Sequence, residues 1–415
     1  MTDLFWPGDE RAGDHFSPLS LLEAVVRVES AWLETMVAAR LFPLGAAADL
    51  EGLVSQSDVD LIASNAEAAG NPVIAFLDIL RQRVPPATAL WLHRGLTSQD
   101  VLDTALMICA RSSAHQLEDE LARQIATLGT LADTHRATVM TGRTLTRPAT
   151  PITFGLKAAN WLHGVLDARD RLIAARAALA GQFGGAAGTL GAVTQLAGLR
   201  GHPEPAAVAL GVATEMAQRL DLATRVAWHT NRAPVTGWAD ALVTCSDAWG
   251  HIANDVLLLG RPEIGELAEA AVAGRGGSSA MPHKANPVLS VLIRRAALAA
   301  PAVAAQLHLS AASVVDERPD GGWHVEWSAL ASLTRHTLTA GSQVTELVAG
   351  LRVDADRMAT NARSVTGDLL AESRSVAQWD DHTDQVVTDR LADHLGATDL
   401  LIDAALARTD PPEHP

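Results

Sequence analysis

The segment from Gly276 to Pro287 reads GGSSAMPHKANP and carries side chains suited to acid–base chemistry. The chain has only two lysines, and one of them, Lys284, stands six residues after Ser278 in this segment. A serine removes a proton only when nearby positive charge or amide donors lower its pKa. The compact ammonium group of a lysine supplies such a charge, which a guanidinium does not replace. Lys284 is therefore placed to activate Ser278 if the segment folds back on itself.

A purely structural interpretation of the same segment stays open. Glycine–serine stretches are common linkers, and Asn286-Pro287 has the form of a helix N-cap followed by proline at the first helical position. This interpretation accounts for Asn286. It does not explain the lysine or the paired serines.

Two further polar segments each precede a long helical stretch: the first segment, residues 93–100 (HRGLTSQD), and the second segment, residues 142–147 (GRTLTR). Residues 276–287 are the third segment in chain order. Thr97 and Asp100 have capping spacing, which leaves Ser98 and Gln99 to bind a carboxylate. The second segment adds two arginines and two threonines, which could also be ordinary surface residues. Because helix N-termini attract anions, the recurrence of such segments predicts an anion-binding site. Residues 229–232 (HTNR) could add a further cation through Arg232.

The composition limits the classes of partner. The net charge of −16 argues against nucleic acid and against an anionic membrane surface, but it allows an anionic small substrate. Cys109 and Cys245 lie in apolar contexts without metal-ligand spacing, which predicts buried free thiols, no metal and a reducing cytoplasm. The N-terminus lacks the apolar core of a signal peptide, so a cytoplasmic protein that does not associate with membranes is expected.

The elements that must position these segments are helical. Alanine and leucine dominate, and no alternating β-branched run is long enough for a major sheet, so we predict an all-α fold. The longest apolar periodic stretches predict a helix bundle; they are residues 101–135, 152–180, 236–260, 287–315 and 326–349. Breaks in the pattern place an N-terminal helical domain at residues 1–98, a central bundle at 99–349 and a C-terminal helical domain at 350–415.

Residues 277–286 (GSSAMPHKAN) resemble the signature of the fumarase/aspartase superfamily of lyases. Thr97 to Asp100 and the Gly142-Arg143-Thr144 segment resemble its first and second substrate loops. The resemblance implies a three-domain α fold with a central bundle of long helices and no cofactor. It also implies a homotetramer whose active sites each combine three loops from three subunits. A small polycarboxylate substrate follows from the same resemblance.

Within the superfamily, several short sequences between about residue 93 and residue 327 resemble those of the bacterial 3-carboxy-cis,cis-muconate cycloisomerases. Amine-releasing lyases usually carry a histidine after the Arg143-Thr144 pair, whereas this chain has Leu145, as expected for the cycloisomerase branch. Arg147 stands where that branch suggests glutamine. The resemblance implies catalytic roles for Ser278, Lys284 and Asn286, with Ser278 transferring a proton α to a carboxylate. The predicted substrate-binding residues are His93, Thr97, Ser98, Gln99, Arg143, Thr144, Arg147, Arg232 and Met281.

The predicted reaction interconverts 3-carboxy-cis,cis-muconate and 4-carboxymuconolactone in the degradation of aromatic compounds. An alternative is a C–N or C–O lyase of the same superfamily that releases fumarate or a related unsaturated acid, which Arg147 favours. A third alternative is a helical scaffold without activity. That hypothesis predicts early loss of the catalytic segment, yet Ser278, Lys284 and Asn286 are all present.

Overall fold

The computed structural model describes residues 3–277, 281, 284–379 and 387–409. Helices make up 66% of the chain, which confirms the all-α prediction. In chain order the helices are α1 (Pro18–Ala38), α2 (Gln56–Ala69), α3 (Val73–Arg83), α4 (Pro86–Trp91), α5 (Ser98–Thr134), α6 (Phe154–Ala177), α7 (Gly191–Leu199), α8 (Pro205–Arg219), α9 (Ala233–Leu259), α10 (Val288–Ala312), α11 (Gly321–Ala349), α12 (Ala355–Ser364), α13 (Thr366–Leu369), α14 (Ala371–Val376) and α15 (Thr398–Leu406).

The five longest helices are those that the periodic stretches predict: α5, α6, α9, α10 and α11. Their alanine and leucine content gives high helix propensity, and each contributes buried apolar side chains. The first helix also begins as the sequence indicates. Ser17 Oγ accepts a hydrogen bond from the Ser20 backbone N–H at 3.1 Å, and Pro18 occupies the first helical position.

The chain forms two compact units, each assembled from several stretches of sequence. Unit 1 comprises residues 1–116, 172–243 and 300–338, and unit 2 comprises residues 117–171, 244–299 and 339–415. The division into three sequence-based domains remains a prediction.

Each unit has a core built around tryptophans. In unit 1 Trp32, Trp228 and Trp238 are buried, and in unit 2 Trp161 and Trp249 are buried. A buried indole needs an acceptor for its N–H group. The Trp249 Nε1 atom donates to Gln124 Oε1 at 2.8 Å, and the Trp161 Nε1 atom donates to Asp255 Oδ2 at 2.8 Å.

Two small antiparallel sheets add to the helices, and the sequence pattern did not predict them. Strands β1 (Val139–Thr144) and β2 (Arg147–Thr153) form a hairpin, and β3 (Leu267–Ala268) pairs with β4 (Arg352–Val353). The hairpin contains the second polar segment, which sequence analysis placed only before a helix. Gly142 is needed in β1 because an added Cβ would overlap the Thr150 carbonyl of β2.

Helix α10 is apolar and poorly buried. Among the described residues it is the one helix long and apolar enough to cross a membrane, although only 33% of its most apolar window is buried. Arg294 and Arg295 lie inside it. One such helix is weak evidence for a membrane segment. Leu298 and Leu309 instead leave an exposed apolar surface along its length.

Candidate active site

His93 opens the first polar segment and is held by a buried glutamate. Its backbone lies in the left-handed region at φ 65°, which non-glycine residues rarely adopt. Glu29 accepts hydrogen bonds from the His93 backbone N–H at 3.0 Å and lies 2.7 Å from its Nδ1 atom. The Trp32 indole N–H donates to the Arg94 carbonyl at 2.8 Å. The predicted substrate contact of His93 would therefore have to involve its Nε2 atom.

The buried carboxylate of Asp100 holds the first segment in place. Its carboxylate is fully buried and accepts the backbone N–H groups of Thr97 at 3.0 Å, Gly184 at 2.9 Å and Gly185 at 2.9 Å. His229 Nε2 lies 2.9 Å from the same carboxylate. The Thr97 bond is the capping contact that the spacing predicts. The others join α5 to the small-residue turn at residues 184–188.

Gln99 departs from its predicted role as a substrate ligand. The side chain is fully buried, and Nε2 donates to Asp103 Oδ2 at 3.1 Å and to the His229 carbonyl at 3.0 Å. Its Oε1 atom accepts from Arg318 Nε at 3.3 Å. Both ends of the amide thus have partners inside the protein. Thr97 and Ser98 are half-buried and stay predicted ligands.

Arg232 is likewise a structural cation rather than the predicted ligand. Its guanidinium is fully buried, forms a fork with Asp103 at 2.7 and 3.0 Å, and contacts Glu326 at 2.6 Å. It also lies over the Trp228 ring at 4.7 Å. Burial by itself would lower the pKa of Arg232, but the charges of Asp103 and Glu326 outweigh it and raise the pKa above its ordinary value. Two carboxylates therefore neutralise this cation before any substrate arrives.

The second segment forms the tip of the β1–β2 hairpin. Thr144 pairs with Arg147 across a two-residue turn, in which Leu145 (φ 48°) and Thr146 (φ 70°) both adopt left-handed backbone. Two-residue hairpin turns of type I′ require this geometry and usually meet it with asparagine and glycine. A leucine and a β-branched threonine are strained there, by about 1–2 kcal/mol each. Such strain is typical of functional sites, and the turn displays a Leu145 side chain that is 95% exposed.

Arg143 lies at the base of the tip and is paired within unit 2. Its two terminal nitrogens donate to the carboxylate oxygens of Glu266 at 3.1 and 2.9 Å, and Glu266 is fully buried. Asn361 donates to the same carboxylate at 2.8 Å. Arg143 thus fixes the hairpin, whereas sequence analysis gave it a substrate carboxylate. Thr144 and Arg147 are exposed, and in the part of the chain that the structure describes no ion pair neutralises Arg147.

The third segment is closed at its base by Asn286. The Asn286 backbone N–H and the side-chain Nδ2 both donate to the Gly276 carbonyl at 2.9 Å. Gly276 has φ 72°, and an added Cβ would overlap the Asn286 carbonyl oxygen, so glycine is required here. Asn286 thus acts on the loop itself, which differs from its predicted contact with substrate. Ser278 lies outside the described residues, while Met281 and Lys284 are exposed.

Glu269 replaces Asn286 as the cap of α10. Its carboxylate accepts the backbone N–H groups of Leu289 at 3.2 Å and Ser290 at 2.7 Å. The N-cap interpretation of Asn286 is therefore wrong, because the helix begins two residues later, at Val288. A carboxylate at this end satisfies orphan donors and the helix dipole together.

The two lysines have different surroundings. Lys157 Nζ lies 3.1 Å from Asp255, which also accepts a hydrogen bond from Trp161. Lys284 is exposed, and its backbone N–H donates to the Met281 carbonyl at 3.0 Å. Within the described residues no carboxylate pairs with its ammonium group, so the charge that sequence analysis singled out is available to a ligand.

Three of the carboxylates that hold these segments carried no sequence signal, because Glu29, Glu266 and Glu269 lie outside the segments that they contact. Asp100 lies within the first segment, and its capping distance from Thr97 marked it in the sequence. Within the described residues no group of three His, Cys, Asp or Glu side chains is suited to hold a metal ion.

Known proteins are similar to this chain over most of its length. A family model described as a lyase matches residues 54–301. The nitrosuccinate lyase of Streptomyces davaonensis is 43% identical over 362 residues, which cover 86% of this chain and 75% of that protein.

Cycloisomerases are similar over more of the chain. The 3-carboxy-cis,cis-muconate cycloisomerase of Bradyrhizobium diazoefficiens is 38% identical over 94% of this chain and 82% of its own. The crystal structure of the 3-carboxy-cis,cis-muconate lactonizing enzyme from Pseudomonas putida superposes with a TM-score of 0.80 at 29% identity, covering 94% of both chains.

Proposed function

Since the chain belongs to the fumarase/aspartase superfamily of lyases, we propose that it eliminates nitrite from nitrosuccinate or a closely related nitro-substituted dicarboxylate. The observation that carries this proposal is the tip of the hairpin. It presents an apolar Leu145 beside Arg147, which no carboxylate of the described residues neutralises, where amine-releasing relatives are expected to carry a proton-donating histidine. An anionic leaving group needs a cation there and does not need an acid.

The proposed reaction is an elimination by proton removal next to a carboxylate. Ser278 takes a proton from the carbon adjacent to one carboxylate, and the electron pair moves into that carboxylate to give an enediolate. The pair then forms the carbon–carbon double bond, the carbon–nitrogen bond breaks, and nitrite leaves with its bonding electrons. The other product is fumarate, so atoms and charges balance.

The roles of the other residues follow from charge. An enediolate needs positive charge aimed at its oxygens, and the exposed ammonium of Lys284 is suited to this. Nitrite is a weak base, so it leaves unprotonated, and Leu145 costs the reaction nothing. Arg147 balances the negative charge that develops on the nitro oxygens. Thr97 and Ser98 donate to the second carboxylate.

The cycloisomerase reaction is the second candidate. Its support is the sequence identity of 38% to a cycloisomerase over 94% of the chain, a wider match than the 86% covered by the nitrosuccinate lyase. The leaving group in its reverse reaction is a carboxylate, again a weak base, so Leu145 agrees with both reactions. The higher identity to the nitrosuccinate lyase and the cation at Arg147 favour nitrite release.

Turnover of two substrates separates these candidates. The purified chain is incubated with nitrosuccinate, with nitrite measured colorimetrically and fumarate by ultraviolet absorbance, and in parallel with 3-carboxy-cis,cis-muconate, with lactone formation measured by loss of absorbance. We expect equimolar nitrite and fumarate. Lactone formation without nitrite release would overturn the first candidate in favour of the second.

Two variants test the roles of individual residues in this reaction. Ser278→Ala should abolish turnover in a protein that keeps its helical circular dichroism. Arg147→Gln should lower kcat/KM for nitrosuccinate by about 10- to 100-fold, the range of one hydrogen bond to a charged group. Full activity of Arg147→Gln would contradict the proposed role of the hairpin tip in nitrite release.

We further propose that the protein is a homotetramer with shared active sites. The exposed apolar surface of α10, including Leu298 and Leu309, supports this because such a surface is normally covered in an assembly. Light scattering tests the assembly. Mixing inactive Ser278→Ala with inactive Ser98→Ala chains after partial unfolding should restore activity in hybrids, whereas no restoration would argue against sites built from different subunits.

A further inference from the structure

Arg318 lies in the segment between α10 and α11 and is held by a side chain of the first segment. Its Nε atom donates to Gln99 Oε1 at 3.3 Å. The orientation of the Gln99 amide is not free, because its Nε2 atom faces two acceptors, Asp103 Oδ2 and the His229 carbonyl. Gln99 must therefore present its oxygen to Arg318.

Asp103 strengthens this constraint. It already accepts two hydrogen bonds from Arg232 and one from the Trp323 indole at 2.8 Å, so the acceptor for Gln99 is itself locked in place. The buried network ends at Arg318, which is half-buried. A series of fixed hydrogen bonds thus connects the core of unit 1 to the guanidinium of Arg318.

The guanidinium of Arg318 differs in charge balance from that of Arg232. Arg232 forms ion pairs with Asp103 and Glu326 in the core. For Arg318, the part of the chain that the structure describes provides the neutral Gln99 oxygen to Nε and no carboxylate partner to the terminal nitrogens. A positioned, half-buried and unneutralised guanidinium is suited to bind a carboxylate through two parallel hydrogen bonds.

We propose that Arg318 binds a carboxylate of the substrate beside Thr97 and Ser98, and that Gln99 positions Arg318 rather than contacting the substrate. This inference rests on the proposed function only in assuming a substrate with at least two carboxylates. It assigns to the first segment a cation besides Arg94, whose Nε atom donates to the Leu90 carbonyl. It also gives the buried Gln99 a role consistent with its contacts.

A ligand that loses one carboxylate tests this assignment without turnover. Binding of succinate and of its monoamide, succinamate, is measured by calorimetry on the full-length wild-type protein and on Arg318→Gln. The wild type should bind succinate more tightly by about 10- to 100-fold, the range of hydrogen bonds to a charged group. Arg318→Gln should bind the two ligands almost equally, and Arg318→Lys should keep part of the preference because it retains charge without the fork.

Arg225→Gln is the matched control, since Arg225 is an exposed arginine of the same unit and its loss changes the net charge equally. It should keep the wild-type preference. An unchanged preference in Arg318→Gln, or a wild type that binds no succinate, would overturn the assignment. Because binding is measured without turnover, a failure to consume nitrosuccinate would refute the proposed function and leave this result intact.

Discussion

Replacing Asp100 by asparagine should loosen the first segment and the turn at residues 184–188 together. In the wild type, Oδ1 accepts from the Gly184 N–H at 2.9 Å and lies 2.9 Å from His229 Nε2, and Oδ2 accepts from the Gly185 N–H at 2.9 Å and the Thr97 N–H at 3.0 Å. Asparagine puts an NH₂ group in place of one oxygen. Two N–H donors then face another donor, in a site without water access.

The magnitude follows from the burial of the carboxylate. Removing one partner from a buried charged network costs about 3–5 kcal/mol. His229 can recover part of this if its proton moves from Nε2 to Nδ1, because Nε2 then accepts from the new amide. The Gly184 N–H cannot regain an acceptor in this way, so we expect the loss of stability to fall near the lower value, about 3 kcal/mol.

Hydrogen exchange measures this loss locally, which suits a chain with two compact units. The amides of Thr97, Gly184 and Gly185 should exchange about a hundredfold faster in Asp100→Asn, as about 3 kcal/mol requires. Asp221→Asn is the control, because Asp221 is exposed in the same unit and its carboxylate forms a long ion pair with Arg111, at 4.0 Å. Wild-type protection of the three amides in Asp100→Asn would refute the assignment of Asp100 as their anchor.

Three further outcomes follow from the surroundings of single residues. Burial raises the pKa of the Cys109 and Cys245 thiols to about 12 each, so neither should react with a thiol reagent at pH 8 until the chain is denatured, and rapid native labelling would contradict their burial. The hydrogen bonds from Arg83 hold the pKa of Asp58 well below its ordinary value of about 3.9. The stability that this pair contributes is therefore present above about pH 4 and is lost as the pH falls further. Asp58→Asn should be less stable than the wild type at pH 7, and the two proteins should become similar in stability in acid. Urea unfolding at several pH values measures this difference. Gly276→Ala should lower kcat sharply at an unchanged melting temperature, because its Cβ disrupts only the closure of the catalytic segment, and unchanged kcat would argue against that closure.

The long helices were predictable from sequence because their cause is local. Alanine and leucine propensity and apolar spacing place α5 and α11 within a few residues of their observed bounds. The β1–β2 hairpin was not predictable in this way. Its turn uses Leu145 and Thr146 in left-handed backbone, without the asparagine or glycine that normally marks such a turn.

The sequence by itself determined the helical class, the family and the three polar segments, including the lone lysine of the GGSSAMPHKANP segment. It could not determine which of their side chains face a ligand. The structure pairs Arg143 with Glu266 across 123 residues and Asp100 with His229 across 129 residues, and it links Gln99 to Arg318 across 219 residues. A polar group in the core must find a partner wherever the fold brings one. Tertiary structure therefore decided that Arg143, Gln99 and Arg232 have their partners inside the protein, whereas the described residues provide no carboxylate partner for Lys284, Arg147 or Arg318.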